Sequence, residues 1–137
     1  MVTTVSYHDD PRYVTHPGEG YDGVVRVSYG GYYGTGALLF DGRAVLTVEH
    51  LFDGRDGTAR VTFETQSGTQ TLSGIKVLLH LGYDSEGNND LAIVWLDASA
   101  PTDADRYGIY RESDEVGQKF TAVGYGRTGT GKTGATD

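Results

Sequence analysis

Gly34-Thr35-Gly36-Ala37-Leu38-Leu39-Phe40-Asp41-Gly42-Arg43-Ala44-Val45-Leu46-Thr47-Val48-Glu49-His50 is the stretch that decides the fold. Gly36 to Phe40 and Ala44 to Val48 are apolar runs of strand length, and the Asp41-Gly42 dipeptide between them is a strong hairpin signal. The second strand delivers His50 at its exit. Upstream, Val24, Val25 and Val27 around Arg26 predict a strand, with Gly30-Gly31 as its turn. Downstream, Asp53-Gly54 and Asp56-Gly57 are further turn dipeptides. Arg60 to Glu64 follows, with Val61 and Phe63 alternating onto one face. Strands are also expected at Thr69 to Leu72, Ile75 to His80 and Leu91 to Leu96. Short strands separated so regularly by turn signals predict an all-β sandwich or closed barrel. The 21 glycines and 10 tyrosines agree, since glycine supplies turns and tyrosine favours strands.

Outside this region the pattern weakens. Residues 1–22 carry Pro11 and Pro17 with no sustained period and read as an irregular arm. Residues 98–117 are polar and rich in turn formers, as a linker over the surface would be. Gln118 to Tyr125 (QKFTAVGY) reads as one last strand, and a Gly/Thr-rich tail runs to Asp137. A strand placed there has no evident neighbour, so a continuation beyond Asp137 is expected.

The 137 residues suit one ordinary domain. A net charge of −8 without a basic run argues against a polyphosphate partner, so no nucleic acid is expected. No apolar stretch approaches the roughly 18 residues of a membrane span, so no membrane partner is expected either. Met1 to Asp10 has neither the basic flank nor the apolar run of a secretory signal. Zero cysteines exclude disulfides, a thiolate nucleophile and thiolate-held zinc.

Among the four histidines no pair has helical zinc-binding spacing, and no metal is expected. His8, His16 and His80 read as ordinary surface or strand-end residues. Asp84 and Glu86 lie in the Gly/Asn-rich loop from Tyr83 to Asn89 and read as solvated, with a weak calcium site as the alternative. Gly126 to Thr133 fits the phosphate-loop pattern G-x-x-x-x-G-K-[ST], but no helix-length segment follows Lys132, so no nucleotide cofactor is expected.

His50 differs from the other three because of its setting. A glycine-marked strand, a turn and Val45-Leu46-Thr47-Val48-Glu49-His50 resemble the strand end V-L-T-A-A-H of the trypsin-like (chymotrypsin-fold) serine proteases. Asn89-Asp90-Leu91-Ala92-Ile93-Val94-Trp95-Leu96 is similar to the family segment D-[IL]-A-L-[LIV]-x-L, and Val123-Gly124-Tyr125-Gly126 to its G-W-G turn. The resemblance covers about Gly23 to Gly126 and implies a six-stranded antiparallel barrel over 23–97. A linker and the first strand of a second barrel would follow. His50 would be the general base and Asp90 the acid that orients it. A serine hydroxyl is a poor nucleophile until an imidazole takes its proton, and a carboxylate on the other ring nitrogen fixes the tautomer.

This sequence departs from the family in several places. Glu49 replaces the family's alanine, and Tyr33 and Leu51 stand where a cysteine pair brackets the region. Arg12 lies near the family's activation cleavage site, with a poor match around it. The G-D-S-G nucleophile segment is absent, and a complete two-barrel protein needs roughly 200 to 250 residues. The resemblance therefore implies the amino-terminal half of a serine endopeptidase, acting on polypeptide only with a serine-bearing carboxy-terminal half and working outside the cell. The alternative is a catalytically inactive barrel serving as a binding or interaction module.

Overall fold

The computed structural model describes residues 2–3, 11, 14–130 and 134–136. Nine strands occur among them: β1 (Val2–Thr3), β2 (Val24–Tyr29), β3 (Tyr32–Leu38), β4 (Ala44–Thr47), β5 (Arg60–Thr65), β6 (Gly68–Leu79), β7 (Ala92–Leu96), β8 (Thr128–Thr130) and β9 (Gly134–Thr136). Strands β2 to β7 close into a barrel in the order β2-β3-β4-β7-β6-β5. Every neighbouring pair in it is antiparallel. The six-stranded antiparallel barrel expected from the sequence is therefore present.

Alternation builds the interior. Val25 and Val27 point inward on either side of Arg26, and Val61 with Phe63 and Val94 with Leu96 do the same on β5 and β7. Leu38, Val45, Leu51 and Phe52 complete the cluster. The packing is tight enough to require glycine at Gly36 and Gly74, among other places. A Cβ on Gly36 would lie 2.6 Å from Val45 Cγ1, and one on Gly74 would lie 2.6 Å from Val94 Cγ1. At the β2–β3 turn, Gly30 and Gly31 have φ of 57° and 85°, the paired positive values of a tight hairpin turn.

Several expectations change in detail. The strands expected at 69–72 and 75–80 are one twelve-residue strand, β6, whose pairing with β7 shifts register between Gly74 and Lys76. Gly74 marks a bulge inside a strand rather than a break. Phe40 lies outside β3 and is largely exposed, because the chain is already turning: Gly42 N–H donates to the Leu39 carbonyl at 3.0 Å. Within the arm expected to be irregular, Val2–Thr3 pairs in parallel with β8, and β8 pairs with β9 in a separate three-stranded sheet. Arg12 and His8 lie outside the described residues.

Within 98–117 the chain runs exposed over the surface only from residue 108 onward. Before that it straps the barrel. Ala100 and Ala104 join the core, and Tyr107 N–H donates to the Leu38 carbonyl at 2.9 Å. The strand expected over 118–125, read as the opening strand of a second barrel, does not form. A strand needs a neighbour's backbone groups, and a closed barrel offers no free edge. The segment is instead tacked down at its end, where Tyr125 N–H donates to Thr35 Oγ1 at 2.9 Å.

Candidate active site

The register of the barrel brings His50 and Asp90 together. β4 and β7 pair so that Thr47 faces Ala92, which places the exit of β4 beside the entry to β7. Thr47 is buried and its hydroxyl donates to the Thr35 carbonyl at 2.9 Å, which fastens the end of β4 to β3. Val48 is still extended, and then Glu49–Leu51 coil into a single 3-10 turn closed by Phe52 N–H on the Glu49 carbonyl at 2.8 Å. Leu51 and Phe52 are buried in the core, and Phe52 meets Tyr29 edge to face with ring centroids 4.8 Å apart. With its neighbours held inside, the His50 side chain is projected outward and is 64% exposed.

Asp90 approaches from a shaped loop. Asn89 takes a left-handed φ of 56°, its side-chain amide donates to the Gly82 carbonyl at 2.9 Å, and Leu91 N–H donates back to the Asn89 carbonyl at 2.8 Å. The Asp90 carboxylate, 23% exposed, then grips His50 twice. Oδ2 lies 2.6 Å from ring Nδ1, and Oδ1 accepts the His50 backbone N–H at 2.8 Å. Burial pushes the Asp90 carboxyl up, but hydrogen bonds from the His50 ring and amide, the attraction of the ring's charge and the Glu49 amide outweigh it. The net direction is below the usual aspartate range. An ionised carboxylate this close to Nδ1 requires the proton on that nitrogen. Nε2 is then the basic atom.

Asp84, in the loop before Asp90, does other work. Asp84 accepts from the Glu86 amide at 3.0 Å and from the Asn88 amide and side chain at 3.1 and 2.9 Å. The Asn88 side-chain bond leads the causes that lower its carboxyl. Asp84 thus organises its own loop. Among the described residues no three or more His, Cys, Asp or Glu side chains converge to hold a metal ion. His80 Nδ1 accepts the Gly82 N–H at 2.9 Å and shapes the turn after β6. Residues 131–133 of the phosphate-loop pattern lie outside the described residues, and strands flank them on both sides.

Glu49 is 8% exposed, and among the described residues its Oε2 is a buried side-chain oxygen without a hydrogen-bond partner. Burial raises the hydroxyl of nearby Tyr83, as do the charges of Asp53, Asp90, Glu49 and Asp84, so this edge of the site is acidic. Two residues beside His50 went unnoticed in the sequence. Arg55 Nη1 donates to the His50 carbonyl at 2.7 Å and to the Leu51 carbonyl at 3.1 Å, and its guanidinium lies 4.0 Å from the centroid of the Tyr32 ring. No local motif marks this pair, because Arg55 and Tyr32 come from separate turns that only the closed barrel brings together.

The pairing of an exposed imidazole with an ionised carboxylate on its Nδ1 is the arrangement that activates a hydroxyl nucleophile. No curated protein sequence matches this chain. Among solved structures, human heparin binding protein matches with a TM-score of 0.54 at 24% identity, over 66% of this chain and 43% of that one. That likeness speaks for the fold. This chain spans less than half the length of that protein. Residues 13–136 match the family model described as Trypsin, which takes in the whole barrel, His50 and Asp90, and on that match the chain belongs to the trypsin family.

Proposed function

We propose that this chain carries the base and the orienting acid of a serine endopeptidase, and that peptide-bond hydrolysis takes place when a serine-bearing second half completes the site. The observation that carries this reading is the double contact of Asp90 with His50, which leaves Nε2 as the basic atom on an exposed ring. In the first step Nε2 takes the serine hydroxyl proton as the oxygen attacks the peptide carbonyl. The same nitrogen then returns the proton to the departing amine, leaving an acyl-enzyme. Water repeats the sequence to release the acid and restore the serine. Asp90 stays ionised throughout and stabilises the imidazolium formed in each half.

A second observation supports a covering half. Beside Asp90 the barrel surface carries an apolar groove of about 240 Å³ lined by Leu46, Leu78, Leu79, Leu91 and Ile93. An apolar groove at the edge of a polar site favours being covered by protein. The polypeptide substrate and an extracellular setting belong to the same proposal, on the strength of what trypsin-like proteases typically do. The alternative, an inactive binding module, gains no support from charge in the case of a polyanion, because the chain carries a net charge of −8.

The test is turnover of a mixed peptide library by the 137-residue chain, alone and with a serine-bearing half supplied as a continuous or separate polypeptide. Activity only in the assembled protein, lost in His50→Ala, is the expected result. Assembled protein that folds and shows no His50-dependent hydrolysis would sink the proposal.

A further inference from the structure

We propose that Arg55, stacked on Tyr32, is a positioning residue that clamps the His50 turn to the tip of the β2–β3 hairpin, a non-covalent counterpart of the missing cysteine crosslink. The inference rests on the reading of His50 as a general base. It stands on contacts that the proposed reaction does not use.

The two residues at the crosslink positions take separate surroundings. Leu51 is buried, 3.7 Å from where a Cβ on Gly34 would sit, and Tyr33 faces outward under the Arg26 guanidinium at 4.0 Å from its ring centroid. The 3-10 turn bearing His50 ends with carbonyls that have no acceptor role within the turn. Arg55 fills that need. One guanidinium nitrogen reaches both the His50 and the Leu51 carbonyls, at 2.7 and 3.1 Å. Its backbone N–H donates to the Phe52 carbonyl at 3.1 Å, which sets the stem of the side chain over the turn.

The other end of the clamp is the hairpin. The guanidinium carbon lies over the ring of Tyr32, the first residue of β3, and Arg55 Cβ lies 3.1 Å from where a Cβ on Gly30 would sit. Glycine at the hairpin tip thus admits the arginine. A planar, delocalised cation satisfies both ends at once, stacking on an aromatic face while donating in its own plane. The His50 peptide is consequently held from two sides, its N–H by Asp90 Oδ1 and its C=O by Arg55. Asp90 sets which ring nitrogen is basic, and Arg55 sets where the turn carries it. Displacement of a reacting group by 1 Å costs as much as about 10²-fold in rate.

The experiment compares Arg55→Ala, Arg55→Lys, Tyr32→Phe and Tyr32→Leu in the 137-residue chain. Amide hydrogen exchange is read at His50 and Phe52, and the His50 Nδ1–H proton signal by NMR, with the Val61 and Val94 amides as core references. Arg55→Ala and Tyr32→Leu should speed exchange at His50 and Phe52 by about tenfold and broaden the ring signal, leaving the core amides unchanged. Tyr32→Phe should match the parent, because the ring face is kept, and Arg55→Lys should fall between. In assembled active protein, Arg55→Ala should lower kcat with KM unchanged. Unaltered exchange at His50 in Arg55→Ala, or equal acceleration at His50 and Val94, would overturn the clamp. Absence of His50-dependent turnover in the assembled parent would instead strike the protease reading and leave the exchange result standing.

Discussion

The barrel at 24–96 and the segment at 108–127 both contain runs that read as strands, yet only the first forms a ladder. In the barrel each run meets a neighbour on both sides and buries alternate residues, so Val25, Val61 and Val94 are fully enclosed. In the segment, Ile109, Tyr110, Val116 and Phe120 remain largely exposed, with Phe120 at 71%. The difference teaches that strand propensity is conditional. Side chains with the right pattern become a strand when backbone partners exist, and otherwise stay as exposed chain. The site belongs to the paired region, because the β4–β7 register places Asp90 against His50.

The sharpest way to break this contrast is to attack the site itself. In protein assembled with a serine-bearing half, Asp90→Asn should cut turnover by about 10⁴ while circular dichroism stays unchanged, the scale known for losing this carboxylate from a triad. Asp84→Asn, in a loop that binds its own amides, should lower turnover little. A reversed order of damage would show that the loop and the site had been confused.

Next in size is the contribution of burial. Phe63→Ala removes a fully enclosed ring and should cost about 3–5 kcal/mol in denaturant unfolding. Phe120→Ala, on the exposed segment, should stay within about 0.5 kcal/mol of the parent. Equal losses would mean that residue 120 has found a packed partner.

Much of the barrel was legible from local chemistry. Asp41-Gly42 between apolar runs located the β3–β4 hairpin, and the likeness of 89–96 to a family segment singled out Asp90. What stayed hidden depended on distant approach. Gly74, between the strands expected at 69–72 and 75–80, is a bulge that lets β6 pass Val94. Ala100 and Ala104 sit in a polar stretch, and small side chains give no periodic signal, although both reach the core. Arg55 and Tyr32 meet only after closure. At 118–125 the pattern was present and the partner was not.

Smaller effects sharpen the comparison at the boundary of the site. Glu49→Ala removes a buried oxygen without a hydrogen-bond partner and should raise stability by about 1–3 kcal/mol, seen as a higher denaturation midpoint at an unchanged slope. A loss of stability would mean that Glu49 has a stabilising partner. For Asp90, the folded carboxyl titrates below its unfolded value, so it adds stability that is fully present above the ordinary aspartate range. That contribution should disappear as pH falls through the lower folded value. Parent and Asp90→Asn should therefore converge in stability on acidification below about pH 4 and differ most near neutrality.

The most direct measurement of the central claim is nitrogen NMR of the His50 ring at pH 8 in the 137-residue chain. The account predicts a proton on Nδ1, bonded to Asp90, and a bare Nε2, with Asp90→Asn shifting the proton to Nε2 because an amide can donate to Nδ1. A parent spectrum with the proton on Nε2 and a bare Nδ1 would contradict it, since Nε2 would then have no lone pair to offer an incoming hydroxyl and Nδ1 faces Asp90.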